Sequence, residues 1–266
     1  MKYFGGEMIR LFFNIYIWIA FIIITLLFFV ILPIYLLFQL LFARRPLDFI
    51  IRRAISIYGW ILVKIVPFLA PVKVESHGEK IPLPAIIVAN HNSAIDPYFF
   101  GALLIDASFI TTWPFKIPVY GFCMRLARYI HANEGWEKVC QKSSELLRSG
   151  VSIIIWPEGR RSRDGSLGRF KNGAFALAVQ TGFPILPICI LGSEKLLPPG
   201  KRLISPSRVK LIILDPIYSD MNNDQQEEII KIRNQARQVI KETLEARRKQ
   251  EYSFSLGKNV ERGEEC

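Results

Sequence analysis

Two short runs in this 266-residue chain hold residues able to move a proton and grip an anion. The first, NHNSAIDP, spans Asn90 to Pro97 and places His91 five positions before Asp96. A carboxylate that reaches back to an imidazole fixes its tautomer and stabilises the imidazolium formed when it takes a proton. The same residues also suit an ordinary turn, with His91 as a polar turn residue, Asp96 as a helix N-cap and Pro97 at the first helical position. The second run, PEGRRSRDG, spans Pro157 to Gly165 and carries Glu158, Gly159, Arg160, Arg161 and Arg163, with Arg169 and Lys171 close behind. Clustered guanidiniums repel one another unless they are solvated or matched by anions, and the planar fork of arginine suits phosphate. A solvated basic turn with Glu158 as counter-charge is the plainer alternative. A third piece, FKIPVYG, puts Lys116 in an expected loop, as an anion contact or simply an exposed lysine.

Both main runs follow apolar stretches that must position them. Val72–Val74, Ala85–Ala89, Ser108–Thr112, Val151–Trp156, Ile185–Ile190 and Val209–Ile213 read as strands, several of them continuous and β-branched, as in sheets covered on both faces. Helical patterns lie between them at Pro97–Leu104, Gly135–Arg148 and Asn172–Gln180. The alternation predicts an α/β fold. His91 and the PEGRRS run then leave the carboxyl ends of strands, where such sheets place ligands. Asp224–Arg248 predicts a charged helix whose Ile229, Ile232, Ala236, Val239, Ile240 and Leu244 form one apolar stripe.

The front of the chain reads differently. Leu11 to Ala43 contains no charge, which exceeds the roughly 20 apolar residues a membrane span needs. The run is too long for a signal peptide core and has no small-residue cleavage site, so a retained anchor is expected, either crossing once or dipping in and returning at Pro33. Arg44, Arg45, Arg52 and Arg53 follow closely, which puts the C-terminal side in the cytoplasm. Phe49 to Leu69, with Arg52, Arg53, Lys64, Tyr58 and Trp60, suits either an interfacial helix on the headgroups or the first helix packed on the following domain. The expected division is a membrane anchor over 1–70, an α/β domain over 71–250 and a loose tail over 251–266.

A net charge of +11 admits nucleic acid, anionic lipid or phosphorylated substrates as partners. No zinc-finger spacing or RNA-binding aromatic signature appears, and the apolar front end favours lipid. Cys123, Cys140, Cys189 and Cys266 are scattered, outside metal-ligand spacing, and suit a reducing compartment. Cys189 lies in an apolar run and reads as a small buried hydrophobe.

Together these pieces resemble the lysophospholipid acyltransferases, the 1-acylglycerol-3-phosphate acyltransferases among them. The family's first block, NHxSxxD (the HxxxxD motif), matches Asn90-His91-Asn92-Ser93-Ala94-Ile95-Asp96. Its third, FPEGTRS, matches Trp156-Pro157-Glu158-Gly159-Arg160-Arg161-Ser162. The second is represented by Lys116-Ile117-Pro118 and Gly121 with Arg125 following, and the fourth by Ile185-Leu186-Pro187-Ile188. The resemblance runs from about Val72 to Asp215 and implies a mixed sheet flanked by helices behind an N-terminal anchor.

The activity it implies is a membrane-bound O-acyltransferase of phospholipid biosynthesis. Such an enzyme moves a fatty acyl group from an acyl thioester, acyl-CoA or acyl-ACP, to the hydroxyl of a lysophospholipid, most simply 1-acylglycerol-3-phosphate. His91 would be the base and Asp96 its orienter. Lys116, Glu158, Gly159, Arg160 and Arg161 would bind substrate, with Arg161 on the phosphate. No metal, resident cofactor or nucleic acid is implied; membrane lipids, the lysolipid and the acyl donor are the expected partners.

Three positions depart from the pattern: Arg160 replaces threonine, Trp156 replaces phenylalanine, and Glu134 stands where YIPVDR-type members carry an arginine. A carboxylate facing the site would repel a phosphate. Glu134 therefore leaves open a zwitterionic or amino-acid lysolipid acceptor, and the anchor and charge alone would also permit a non-catalytic lipid-binding protein. His131, in the same stretch, reads as a local surface or lining residue rather than a second base.

Overall fold

The structure is a computed structural model and describes residues 2–65, 71–78, 81–220 and 222–261. A long helix, α1 (Lys2–Phe38), runs on into a π-helical turn over Gln39–Ala43. Helix α2 (Leu47–Trp60) follows and ends in a second π-helical turn over Ile61–Ile65. Strands β1 (Val72–Ser76) and β2 (Ile86–Ala89) lead to α3 (Asp96–Phe99), which is prolonged by a 3-10 turn over Phe100–Leu103. Next come β3 (Ala107–Thr111), a 3-10 turn over Trp113–Lys116, α4 (Pro118–Leu126) and the short β4 (Ile130–His131). The remainder comprises α5 (Trp136–Arg148), β5 (Ser152–Ile155), α6 (Gly173–Thr181), β6 (Ile185–Leu191), α7 (Ser193–Leu196), β7 (Val209–Ile213) and α8 (Gln225–Glu261).

Among the described residues seven strands form one mixed sheet in the order β1-β7-β6-β2-β5-β3-β4, with β6 and β7 antiparallel and the other pairs parallel. β2 sits at the centre, and Val88 pairs with Ile155 of β5 while Ala89 pairs with Ile188 of β6. The segments that leave β2 and β5 therefore emerge side by side. Alternate strand residues face two cores. Ile86, Val88, Ile153 and Cys189 pack on one face with residues of α5, α6 and α8, while Ile87, Ala89, Ile154 and Ile188 pack on the other. The six predicted strands are all present. β4 is too short for the periodicity to show.

Three local expectations change, and the choice between two readings of α2 is decided. The segment expected as a loop around Lys116 is a 3-10 turn followed by α4, whose entry Pro118 favours. Asp96 is the first residue of α3 and makes no capping bond to it; the residue before the helix is Ile95. α2 packs on the domain, burying Ile50, Ile51, Ala54 and Tyr58. Its Arg52 is buried too, paired with Asp48 at 2.9 Å and Asp106 at 2.6 Å, which compensates the cost of removing a guanidinium from water. Finally, α8 continues past Arg248 to Glu261, into the stretch expected to be loose. Residues 66–70, which end the expected second apolar segment, and 262–266, including Cys266, lie outside the described residues.

α1 presents a helical stripe to the domain. Ile17 and Leu32 are buried, and Phe13, Phe21, Ile24 and Phe28 pack alongside. Its one buried amide, Asn14, brackets the backbone of Ile204, accepting from its N–H at 2.7 Å and donating to its carbonyl at 3.0 Å. The opposite face, with Phe12, Ile19, Ile23, Leu27, Val30 and Ile34 among others, is bare. Met8–Ala43 is long and apolar enough to cross a membrane.

Candidate active site

The turn after β2 is held by side chains that bond to backbone. Asn90 is buried and brackets Ile190 of β6, accepting from its N–H at 2.7 Å and donating to its carbonyl at 2.8 Å. This continues the sheet's pairing by one residue in side-chain form and aims His91 away from the strand. Both backbone groups of His91 are also engaged: its N–H donates to Glu158 Oε1 at 2.9 Å, and its carbonyl accepts from Ser162 N–H at 2.7 Å. The two sequence runs are thus bonded directly to each other.

Asp96 is fully buried and turns back toward that loop. Its Oδ2 accepts from His91 Nδ1 at 2.8 Å, from the N–H of Asn92 at 2.7 Å and from the N–H of Ser93 at 2.9 Å. A carboxylate only accepts, so the imidazole proton resides on Nδ1 and the Nε2 lone pair is free among the described residues. The imidazole stacks on Trp156, with ring centroids 4.6 Å apart at 26°. Trp156 is in turn stacked on Phe109 and met edge-on by Phe100. His91 is therefore oriented through its nitrogen, its ring face and its backbone. This is the base-plus-orienter geometry of general-base catalysis.

His91 lines a cavity of about 1020 Å³. Gly159, Arg160, Arg161 and Lys171 also line it, while Phe21, Thr25 and Phe29 of α1 and Tyr58 of α2 bound it beneath the long helix. One cavity thus joins a cationic loop, a free imidazole nitrogen and an apolar reach under α1. Gly159 has φ +70°, a conformation that disfavours a side chain, and a Cβ there would meet Lys171 Nζ at 2.8 Å. The loop is pinned from behind by α8. Arg237 donates to the carbonyls of Gly168 (2.9 Å) and Leu167 (3.1 Å), and Arg248 donates to that of Gly165 (2.8 Å). Nothing in the sequence marks these arginines, because a basic residue on a charged helix reads as solvated.

Two expected binding residues lie elsewhere. Lys116 is not among the residues that line the cavity. Glu158 is buried, and both its oxygens are taken by backbone donors, His91 N–H at 2.9 Å and Gly168 N–H at 2.8 Å. Burial pushes its carboxyl above the ordinary range, and those two bonds pull it part of the way back. Glu158 joins the two loops rather than facing the cavity. Glu134 also differs from expectation. Ala132 and Asn133 line the cavity, whereas the Glu134 carboxylate pairs with Lys142 and faces a separate pocket, as does His131. The repulsive carboxylate inferred from the sequence does not point at the site.

Comparison with known proteins agrees with this geometry. Residues 73–191 match the family model Acyltransferase. A chloroplastic 1-acyl-sn-glycerol-3-phosphate acyltransferase of Brassica napus is 35% identical over 169 residues, 60% of this chain and 48% of that protein. A 1-acyl-sn-glycerol-3-phosphate acyltransferase of Pseudomonas aeruginosa is 30% identical over 128 residues, 45% of this chain and 50% of that protein. The chain spans about half the length of the curated relatives it matches. The crystal structure of the 1-acyl-sn-glycerophosphate acyltransferase PlsC from Thermotoga maritima superposes with a TM-score of 0.64 at 27% identity, covering 86% of this chain and 97% of that one. Both sequence blocks stand on adjoining strand ends of this shared fold, and residues 73–191 carry the likeness to the acyltransferase family.

Proposed function

We propose that this protein transfers a fatty acyl group from an acyl thioester, on coenzyme A or acyl carrier protein, to the free hydroxyl of 1-acylglycerol-3-phosphate, giving phosphatidate. The observation that carries this reading is the His91–Asp96 pair at 2.8 Å, with Nε2 free in a cavity that also holds Arg160, Arg161 and Lys171. Nε2 takes the proton of the acceptor hydroxyl as its oxygen attacks the thioester carbonyl carbon. Asp96 stabilises the imidazolium that forms. The tetrahedral intermediate then expels the thiolate as the carbon–sulfur bond breaks, and the imidazolium returns the proton to sulfur. No metal or covalent acyl-enzyme takes part. The guanidiniums hold the acceptor phosphate and fix the hydroxyl against the base, an alignment that removes much of the entropic barrier.

Attachment to the bilayer follows from α1, whose bare face enters lipid while its other face stays seated on the domain. Arg52 and Arg53 are bonded within the fold, so Arg44 and Arg45 remain to set the topology, with the domain on the cytoplasmic side.

The test is acyl transfer by the purified full chain in detergent, with a panel of lysolipids. Lysophosphatidate is expected to be the preferred acceptor, and His91→Ala is expected to abolish turnover without loss of fold. Wild-type turnover by that variant would refute the mechanism, and faster use of a zwitterionic lysolipid would refute the acceptor.

A further inference from the structure

The segment Tyr129–Glu134 is a wall between two cavities. One side carries Ala132 and Asn133 on the cavity of His91; the other carries His131 and Glu134 on a separate pocket of about 550 Å³. Phe115, buried, and Tyr129 give that second pocket an apolar floor. Around the floor stand three cations, Arg125, Arg128 and Lys142, against two carboxylates, Glu134 and Glu145. Both carboxylates are already matched: Glu134 pairs with Lys142, and Glu145 with Arg128 at 3.2 Å. Arg125 is left with no ion pair among the described residues. Its guanidinium sits 5.9 Å from the centroid of the Phe115 ring. The His131 ring lies against the same phenyl group at 5.1 Å. His131 Nδ1 accepts from Asn133 N–H at 3.2 Å, which leaves its Nε2–H as a donor. The pocket therefore offers one uncompensated positive charge, an unengaged guanidinium fork and an imidazole donor, all grouped on one aromatic ring.

We propose that this pocket is a second anion site, distinct from the catalytic cavity, and that it binds a phosphate ester through Arg125 and His131. Arginine's planar fork matches two phosphate oxygens, and a third oxygen is available to the imidazole. The pocket lies within the usual size range for small-molecule sites, so the phosphate can bring an attached group with it. Two sources share this chemistry: the nucleotide end of a coenzyme A donor, and the headgroup of an anionic lipid. The first rests on the acyl-transfer reading, whereas the site itself does not.

The chain has three histidines, so the ring signals of His77, His91 and His131 can be assigned by single substitution and followed by NMR in the full-length protein in detergent. Titration with inorganic phosphate is expected to move the His131 signal saturably. Arg125→Gln should weaken that response about tenfold or more, because a charge-assisted bond is lost, while Arg125→Lys should weaken it less. The His91 signal reports the catalytic cavity independently and shows that each variant is folded. An unmoved His131 signal, or an identical titration in Arg125→Gln, would overturn the site. Two further arms identify the source. A response to coenzyme A that is lost with Arg125→Gln assigns the donor nucleotide. A response to nanodiscs of phosphatidylglycerol but not of phosphatidylcholine assigns the headgroup. Silence in both arms would overturn the phosphate-ester assignment, whatever the turnover of the enzyme.

Discussion

Replacing Asp96 with asparagine separates the two roles its carboxylate plays. Three donors converge on one oxygen: His91 Nδ1 at 2.8 Å and the N–H groups of Asn92 at 2.7 Å and Ser93 at 2.9 Å. Two of these donors are backbone and cannot reorient, so the amide oxygen of asparagine must take the same place. The imidazole then keeps its tautomer but faces a neutral acceptor when it becomes protonated. Exchanging a charge-assisted bond for a neutral one loses about 1–1.5 kcal/mol, or roughly tenfold in turnover. That is less than the ~10⁴-fold seen where the amide also imposes the wrong tautomer. The new amide nitrogen falls where Asp96 Oδ1 is buried without a partner among the described residues. An unsatisfied buried donor costs about 1–3 kcal/mol of stability. The assay is steady-state acyl transfer with lysophosphatidate, alongside thermal unfolding. The expected result is turnover reduced about tenfold, KM near that of the wild type and a lowered melting temperature. A variant that is destabilised yet turns over within about threefold of wild type would mean that Asp96 only holds the turn, and the reasoning would fail.

Three other outcomes can be measured. Glu158→Gln leaves one of the two backbone donors, His91 or Gly168, opposite an amide NH₂, so a loss of about 1–3 kcal/mol in urea unfolding at neutral pH is expected. Because burial raises the Glu158 carboxyl, the folded wild type holds that proton to a higher pH than the unfolded chain. This contribution therefore declines as pH rises from the ordinary carboxylate range through the raised value, and urea midpoints across that window should show a slope in wild type that Glu158→Gln lacks. Glu134→Gln should leave KM for lysophosphatidate unchanged, since the carboxylate faces the other pocket; a several-fold fall would place it in the acceptor site. At Gly101 an added Cβ would lie 2.5 Å from Trp60 N and 2.6 Å from the Ser56 carbonyl oxygen. Gly101→Ala must push α2 off the 3-10 turn, so a loss of about 1–3 kcal/mol is expected; unchanged unfolding would show that the crossing gives way easily.

The α/β alternation, the apolar front end and the two chemical runs are legible in the amino-acid order. These are local properties: continuous β-branched runs, uncharged length, and a histidine and aspartate close enough in one turn to meet without help from the rest of the chain. That order does not determine where Asp96 points. A sequence cannot distinguish a carboxylate that caps the helix ahead from one that reaches back, because the choice depends on which backbone donors the folded loop offers. Glu134, Lys116 and Glu158 were misplaced for a related reason. Their neighbours in sequence reach the cavity, but side-chain direction was set by Lys142, by the helical start at Pro118 and by the backbone donors of His91 and Gly168. That Asn90–Asp96 and Trp156–Lys171 share a site follows from the folding of the sheet. Strand order placed β2 beside β5, and parallel pairing in register brought their carboxyl ends to the same edge.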